Sequence, residues 1–329
     1  MVAAALCVAV ATSACGGGSG GAALTIYNGQ HEQTTDALVK AFERSTGIKT
    51  AVRSGDEATL ANQLLQEGSK SPADVFYTEN TPALEALREH GLLAAAAPAA
   101  LSSVPARYSS TQGRWVGVSA RVSVLVYNTS KLGPSQLPGS ILELADPRFK
   151  GKLVFAPSET DFQPLVTSIA AFDGKPAAEA WLKGLQRNGR QLPDNESVAA
   201  QVNAGQSELG PINHYYWYRL RREEGGHMSS AIGYYAPRDP GYLLNVSGAG
   251  VLKSSSHRAA AERFLEFLVS RAGQEILVHS DSYEYPLRPG VAAPAGLRPL
   301  STLQPAPLTP AQLGDGSEAL ALEQKVGLL

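Results

Sequence analysis

The chain has 329 residues, 43% hydrophobic and 18% charged, with a formal net charge of -2. That length and balance suit one large globular unit or two lobes. The absence of a basic excess excludes the clustered Lys and Arg field that nucleic-acid binding requires.

Read in chain order, the first segment is MVAAALCVAVATSACGGGSGG. An apolar run too short to span a bilayer leads to small residues and then a Gly/Ser tether, the pattern of an export signal. ATSAC is similar to a bacterial lipoprotein signal, with Cys15 as the lipidated residue, so residues 1–22 are expected to be signal and tether. Cys7 and Cys15 are the two cysteines of the sequence. Beyond residue 22 there is therefore neither a disulfide nor a thiolate metal ligand.

Residues 23–30 read as a strand ending in an Asn-Gly turn. Residues 31–47 read as an amphipathic helix with Leu38, Val39 and Phe42 on its apolar stripe and Gly47 as its C-cap. A second strand (48–55) and a second helix (56–68), capped by Asp56, follow. A third strand (73–80) leads to a third helix (81–91) with Pro82 in its first turn. Strict alternation with short links predicts a parallel α/β sheet. Residues 114–132 form one long extended stretch, of the kind that passes from one lobe to another. SILELADPRFKGKLVFAPS predicts a helix, a turn at Pro147 and a strand. Two helices are expected over 161–174 and 176–189, then helix, Gly turn and strand up to Asn213. SSAIGYYAP and YLLNVSGAGVLK read as strands returning to the first lobe. Residues 256–280 read as one or two helices, and a short helix is expected at 317–329.

In open α/β sheets ligands bind at the carboxyl ends of strands. His31 follows the first strand and Glu79 the third, at the same sheet edge. INHYYWYRL, residues 212–220, places Tyr215 beside Tyr216. Neighbouring residues diverge on a strand or a helix, so two hydroxyls serving one point require a bend at the edge of an element. No GxSxG turn, HExxH helix or phosphate loop is present, and no enzyme is expected. Imidazole, carboxylate and two phenols together make a donor set suited to a hard ferric ion. A phenol ionises near neutral pH only beside a strong charge, which a metal supplies. Asn195, Asn213 and backbone N–H groups near 160–163 are candidate contacts for an accompanying anion.

YNGQH (27–31), ADVFYTE (73–79), INHYYWY (212–218), DPG…VSGAGVLK (239–253) and EYPL (284–287) resemble the bacterial ferric-iron-binding proteins of ABC importers. The similarity runs in order over nearly all of residues 23–329. It implies an α/β, two-lobe, class II periplasmic-binding-protein-like fold (a Venus flytrap) with an interlobe cleft and two crossing strands. The first lobe would comprise 23–122 plus 247–298, and the second 123–246 plus 299–329. The iron ligands implied are His31, Glu79, Tyr215 and Tyr216. Asn195, Asn213, Thr160 and Asp161 would face a synergistic anion (carbonate, citrate or phosphate), with Arg121 and Arg288 behind Glu79 or the anion. Tyr234 and Tyr235 are further cleft candidates. SETDFQP (158–164) departs from the family's uncharged anion site, because Glu159 and Asp161 bring negative charge there. The implied partner is a membrane permease. The protein would be a monomer, exported and either lipid-anchored facing outward or periplasmic. Acid is expected to weaken binding through protons competing for phenolate and imidazole. Two other readings stay open: the same fold carrying thiamine, a polyamine or another small solute, and a cell-surface hydrolase using Glu79, Glu159 and Asp161.

Overall fold

The computed structural model describes residues 23–329, so Cys15, the signal and the tether lie outside the described residues. In chain order the elements are β1 (Leu24–Gly29), α1 (Glu32–Thr46), β2 (Thr50–Ser54), α2 (Glu57–Glu67), β3 (Val75–Thr78), α3 (Thr81–Glu89), α4 (Pro98–Leu101) and β4 (Val116–Asn128). Then come β5 (Leu153–Phe155), α5 (Gln163–Asp173), α6 (Lys175–Asn188), β6 (Gly189–Gln191), α7 (Asn195–Asn203), β7 (Leu209–Asn213), α8 (His214–Glu223) and β8 (Ser230–Gly233). The chain closes with β9 (Leu244–Val251), α9 (Arg258–Leu268), α10 (Arg271–His279), β10 (Tyr285–Pro286), α11 (Pro310–Leu313) and α12 (Ser317–Val326).

The opening βα units form as their sequence dictates. In α1 the stripe of Leu38, Val39 and Phe42 is buried, and Phe42 packs edge-on against Phe264 of α9 with ring centroids 5.1 Å apart. Gly47 adopts the left-handed conformation (φ 71°) that ends the helix, a conformation glycine reaches without steric cost. The Asp56 side chain accepts the Thr59 N–H at 2.8 Å and so caps α2.

β1 pairs in parallel with β2 and β3, as the alternation predicts. Beyond β3 the pairing turns antiparallel, and it becomes parallel again only at β5, which pairs in parallel with β6 and β7. β9 runs antiparallel to β3, and β4 antiparallel to β9. The cause is that β4 leaves the first lobe instead of returning through a helix. Every one of its 13 residues is buried. Its first half, Val116–Val122, pairs with β9, and its second half, Ser123–Asn128, with β7 and β8. β4 and β9 are thus the two strands at the crossing, and the strand order is β2-β1-β3-β9-β4-β7-β5-β6.

Two local expectations change. The 230–237 segment does not return to the first lobe, because β8 pairs with β4 at Leu125–Asn128, on the edge opposite β7. The helix expected after Ser140 is two single 3-10 turns, Ile141–Ala145 and Pro147–Phe149, each started by its own side-chain cap, Ser140 and Asp146. Pro147 lacks the N–H needed to join them.

The core of the second lobe includes an aromatic stack. Phe162 lies between Phe155 (centroids 5.9 Å) and Trp181 (5.5 Å), and Trp181 donates its indole N–H to the Ile141 carbonyl at 2.8 Å. Phe162 directly follows Asp161, so this stack fixes the backbone that carries a cleft carboxylate. Phe162→Ala should cost about 3–5 kcal/mol of stability, read as a lower denaturant midpoint. An unchanged midpoint would show that the stack does not hold this segment.

Candidate metal centre

Each lobe presents its polar groups from the end of a strand. At the end of β1 the Asn28 side chain bonds forward: Nδ2 donates to the Gln30 carbonyl (2.8 Å), while Oδ1 accepts from the Gln30 N–H (3.1 Å) and Thr35 Oγ1 (2.8 Å). Such an Asx turn competes with the strand and ends it. The next residue, His31, is the N-cap of α1 and is held through its N–H by Gln30 Oε1 at 2.8 Å. Gly29 is needed here for space, since a Cβ would stand 2.6 Å from Glu57 Cβ. Glu79 sits between β3 and α3, its carbonyl receiving Arg121 Nη1 at 2.5 Å.

From the second lobe, β7 runs straight into α8. Asn213 is the extended N-cap, and His214, Tyr215 and Tyr216 make the first helical turn. The bend expected at the tyrosine pair is this strand-to-helix junction, and the tyrosines themselves are helical. Adjacent helical residues point about 100° apart, yet these long side chains converge, with ring centroids 4.0 Å apart. Both hydroxyls reach Asp161 Oδ2, Tyr215 at 3.5 Å and Tyr216 at 3.3 Å. Tyr215 also donates to Glu79 Oε1 at 2.9 Å.

The lobes therefore meet through these groups. His31 Nε2 lies 3.2 Å from Glu79 Oε1 but is off hydrogen-bond geometry, and it is buried without a hydrogen-bond partner. A buried imidazole nitrogen left unpaired is costly unless it is a ligand position. Asn80 fastens the cleft: its Nδ2 donates to Glu57 Oε1 (2.8 Å), Asp161 Oδ1 (3.2 Å) and Thr160 Oγ1 (3.3 Å). Arg121, on the crossing strand and fully buried, donates Nη2 to Asn80 Oδ1 (2.6 Å) and Asp161 Oδ1 (3.3 Å), with Nε 3.6 Å from Glu79 Oε1. Burial alone would lower its pKa, but Glu79, Asp161 and Glu284 hold it charged. An open acidic cavity of about 300 Å³ adjoins the cluster, lined in part by His31, Glu57, Glu79, Glu159 and Thr160.

Protonation follows from burial. Desolvation, aided by Arg219 and Arg121, lowers His31 to about 3, so the ring is neutral and metal-ready at neutral pH. Proton competition at the imidazole, expected from the sequence, is thus confined to strong acid. Burial first, then Glu79 for Tyr215 and Asp161 for Tyr216, raises both phenols well above 10. Burial and neighbouring carboxylates raise Glu57 to about 7 and Glu159 to about 8.

The structure brings His31, Glu79, Tyr215, Tyr216, Asp161, Thr160 and Arg121 together. Asn213 lies beside the crossing, where Oδ1 accepts from Ser123 Oγ (3.2 Å) and Asn245 Nδ2 (3.1 Å). Its own Nδ2 is buried and unpaired. Asn195 is buried in the first turn of α7, with its backbone N–H toward Glu159. Arg288 is not in the cluster. Its Nη1 donates to the Val269 carbonyl at 2.9 Å and caps the end of α9, a use for an Arg that a helix C-terminus rewards. Tyr234 stacks under Arg298 at 4.3 Å, and Tyr235 is buried near Asp239, so neither belongs to the centre.

Sequence reasoning missed three contributors. Arg219 lies over the Tyr215 ring at 4.7 Å, and its i, i+4 spacing would have revealed it once 214–223 was read as a helix. Glu57 receives the Asn80 N–H at 2.8 Å and braces the Glu79 turn. Glu284, within the quoted EYPL, is fully buried and accepts from Ser119 Oγ. It groups with His31 and Glu79, one ligand atom of each lying within 4.8 Å of the others. No local pattern marks a residue brought in from 200 positions away by β10.

The profile of bacterial extracellular solute-binding proteins matches residues 70–306, and the chain belongs to that family. The Fe(3+)-binding periplasmic protein of Serratia marcescens is 39% identical over 307 residues, covering 93% of this chain and 90% of its own. Iron-bound HitA from Pseudomonas aeruginosa matches with a TM-score of 0.89 at 42% identity, covering 93% of this chain and 99% of that one. A Trichodesmium protein, IdiA (FutA), in complex with iron and citrate matches with a TM-score of 0.82 at 30% identity over 93% and 99% of the two chains. The fold is the two-lobe α/β architecture of these binding proteins.

Next to the tyrosines, His214 is locked neutral: Nδ1 accepts the Val122 N–H at 3.1 Å and Nε2 donates to the Tyr283 carbonyl at 2.9 Å. Burial first, and Arg121 too, lowers it to about 3. The unfolded chain, near 6.5, takes up this proton first. The contribution of His214 is therefore whole above pH 6.5 and is lost as pH falls toward 3, at up to about 1.4 kcal/mol per pH unit. The stability gap between wild type and His214→Gln should narrow as pH falls from 6.5 to 4. A gap that stays constant or widens in denaturant titrations would contradict the neutral assignment.

Proposed function

We propose that this chain captures ferric iron between its lobes and delivers it to a membrane permease of an ABC importer. One observation carries the reading: Tyr215 of the second lobe donates to Glu79 of the first at 2.9 Å, beside the orphaned His31 Nε2, and the Tyr216 hydroxyl meets the Tyr215 hydroxyl at Asp161 Oδ2. The donor set fits the cargo. Two phenolates, Glu79 and the neutral His31 give hard, mostly anionic oxygen ligation, which suits Fe³⁺ better than zinc or calcium. The names of the relatives support the same cargo. The relatives are solute-binding proteins, and no enzymatic step is assigned to the cleft.

In the open state Tyr215 and Tyr216 bind the ion first, and hinge closure at the β4–β9 crossing adds His31 and Glu79. Iron favours the closed form only through its greater affinity for it, which the four groups from two lobes supply. The permease reads the closed form. The lobes comprise 23–122 plus 247–298 and 123–246 plus 299–329, with Cys15 as a lipid anchor at the outer face of the membrane. Among the described residues no helix is long and apolar enough to cross a membrane.

Each phenol is neutral and donates its O–H to a carboxylate in the structure, so binding iron expels phenolic protons and acid must weaken it. Titration with ferric iron should produce a visible tyrosinate charge-transfer band that saturates at one iron per chain. Tyr216→Phe should weaken binding by more than the roughly 10–100-fold typical of losing a supporting partner. Trp217, whose indole N–H donates to Ser230 Oγ at 3.2 Å, is structural, so Trp217→Phe should alter stability and leave affinity within about twofold. A colourless protein, or equal affinity in Tyr216→Phe, would overturn the reading and turn attention to organic cations.

A further inference from the structure

Behind the crossing strands, on the face away from the metal centre, lies a groove that the metal centre does not use. Side chains alternate along β9. Asn245 and Ser247 turn toward the cleft, where they bond Asn213 and Ser119. Leu244 and Val246 turn the other way and floor a cavity of about 590 Å³, within the range of small-molecule sites. Arg107 and Tyr108 wall it from the first lobe, and Arg238 and the Pro-rich strap 300–310 wall it from the second. It shares Arg107 and Leu300 with a cavity of about 530 Å³ that adds Arg288, and Pro237 and Gln304 with another of about 530 Å³ that adds Arg298. Four arginines and no carboxylate line the three, in a chain whose net charge is -2. Asp239, next to Arg238, is engaged elsewhere, its Oδ1 accepting the Ile141 and Gly241 N–H groups at 3.1 and 2.7 Å. Arg107 is exposed and steadied by its neighbour, Nη2 donating to the Tyr108 hydroxyl at 2.7 Å. Arg238 is exposed with φ 65°, a left-handed conformation that is costly without glycine and gathers at functional sites. Its N–H donates to the Gln304 carbonyl at 2.9 Å, which holds it at the rim of the groove.

We propose that this groove binds a single-chain organic anion, its carboxylate between Arg107 and Arg238 and its hydrocarbon tail over Leu244 and Val246. Guanidinium groups recognise carboxylates through paired N–H donors, and the apolar floor rewards a tail by burying it. A cationic head would meet only like charge. The site is also linked to lobe motion. Its walls come from both lobes and lie across the hinge from the cleft, so the groove is widest when the cleft is closed, as it is here with Tyr215 bonded to Glu79. An occupant of that width favours closure, and by reciprocity iron and the anion each tighten the binding of the other. This linkage, unlike the binding itself, rests on the ferric reading above.

The test titrates residues 23–329, which contain every described element, with sodium decanoate by calorimetry at fixed ionic strength. Decanoate should bind at one per chain. Octanoate should bind more weakly, by up to about fourfold for each methylene removed, and decyltrimethylammonium more weakly by at least about tenfold. Arg107→Gln combined with Arg238→Gln should lower decanoate affinity at least about tenfold, with circular dichroism unchanged. Saturating decanoate should raise ferric affinity at least about fivefold in wild type and leave it unchanged in the double variant. Decanoate binding that the double variant retains in full, or that decyltrimethylammonium equals, would overturn the proposal. Iron affinity indifferent to bound decanoate would place the ligand away from the hinge and overturn it as well. If no ferric band forms under any condition, the ferric reading falls, and the arginine variants alone decide for or against the groove.

Discussion

A guanidinium wholly cut off from water has to be matched by negative charge, and in this protein the match comes from both lobes at once. Arg121 stands on the strand that crosses between them. It holds the Glu79 carbonyl on one side and Asp161 on the other, with Asn80 bridging the two. Breaking a buried pair of this kind typically costs about 3–5 kcal/mol. The contact between the two sides of the cleft is therefore built around a residue of the strand that crosses between them, with the tyrosines of α8 beside it.

Around that residue, each candidate ligand group is aimed by an end of a regular element. An Asx turn stops β1 and presents His31, the β3–α3 turn presents Glu79, and a strand that becomes a helix without a loop presents Tyr215 and Tyr216. The chemistry then follows from desolvation. The same burial that keeps His31 neutral makes the phenols poor acids, so only a strongly charged cation can displace their protons.

Much of this was legible in the sequence because it depends on local signals. The βα alternation, the C-cap at Gly47 and the adjacent tyrosines are all readable within a dozen residues. What escaped depends on tertiary placement. The switch from parallel to antiparallel pairing after β3 comes from β4 leaving its lobe, whereas the return of β9 to the first lobe was legible. Arg288 and Arg121 look alike in sequence as single cations at strand ends. Only the fold sends one to a helix terminus and buries the other between carboxylates. Asp161 was read as a contact for an anion, and in the structure it faces both phenol hydroxyls.

The most direct test is diffraction at the iron edge from crystals of the iron-loaded protein. The account predicts a single anomalous peak in the interlobe cleft, within bonding distance of His31 Nε2, a Glu79 carboxylate oxygen and the phenol oxygens of Tyr215 and Tyr216. A peak bonded to groups of one lobe alone in a closed molecule, or lying away from the two tyrosines, would contradict it.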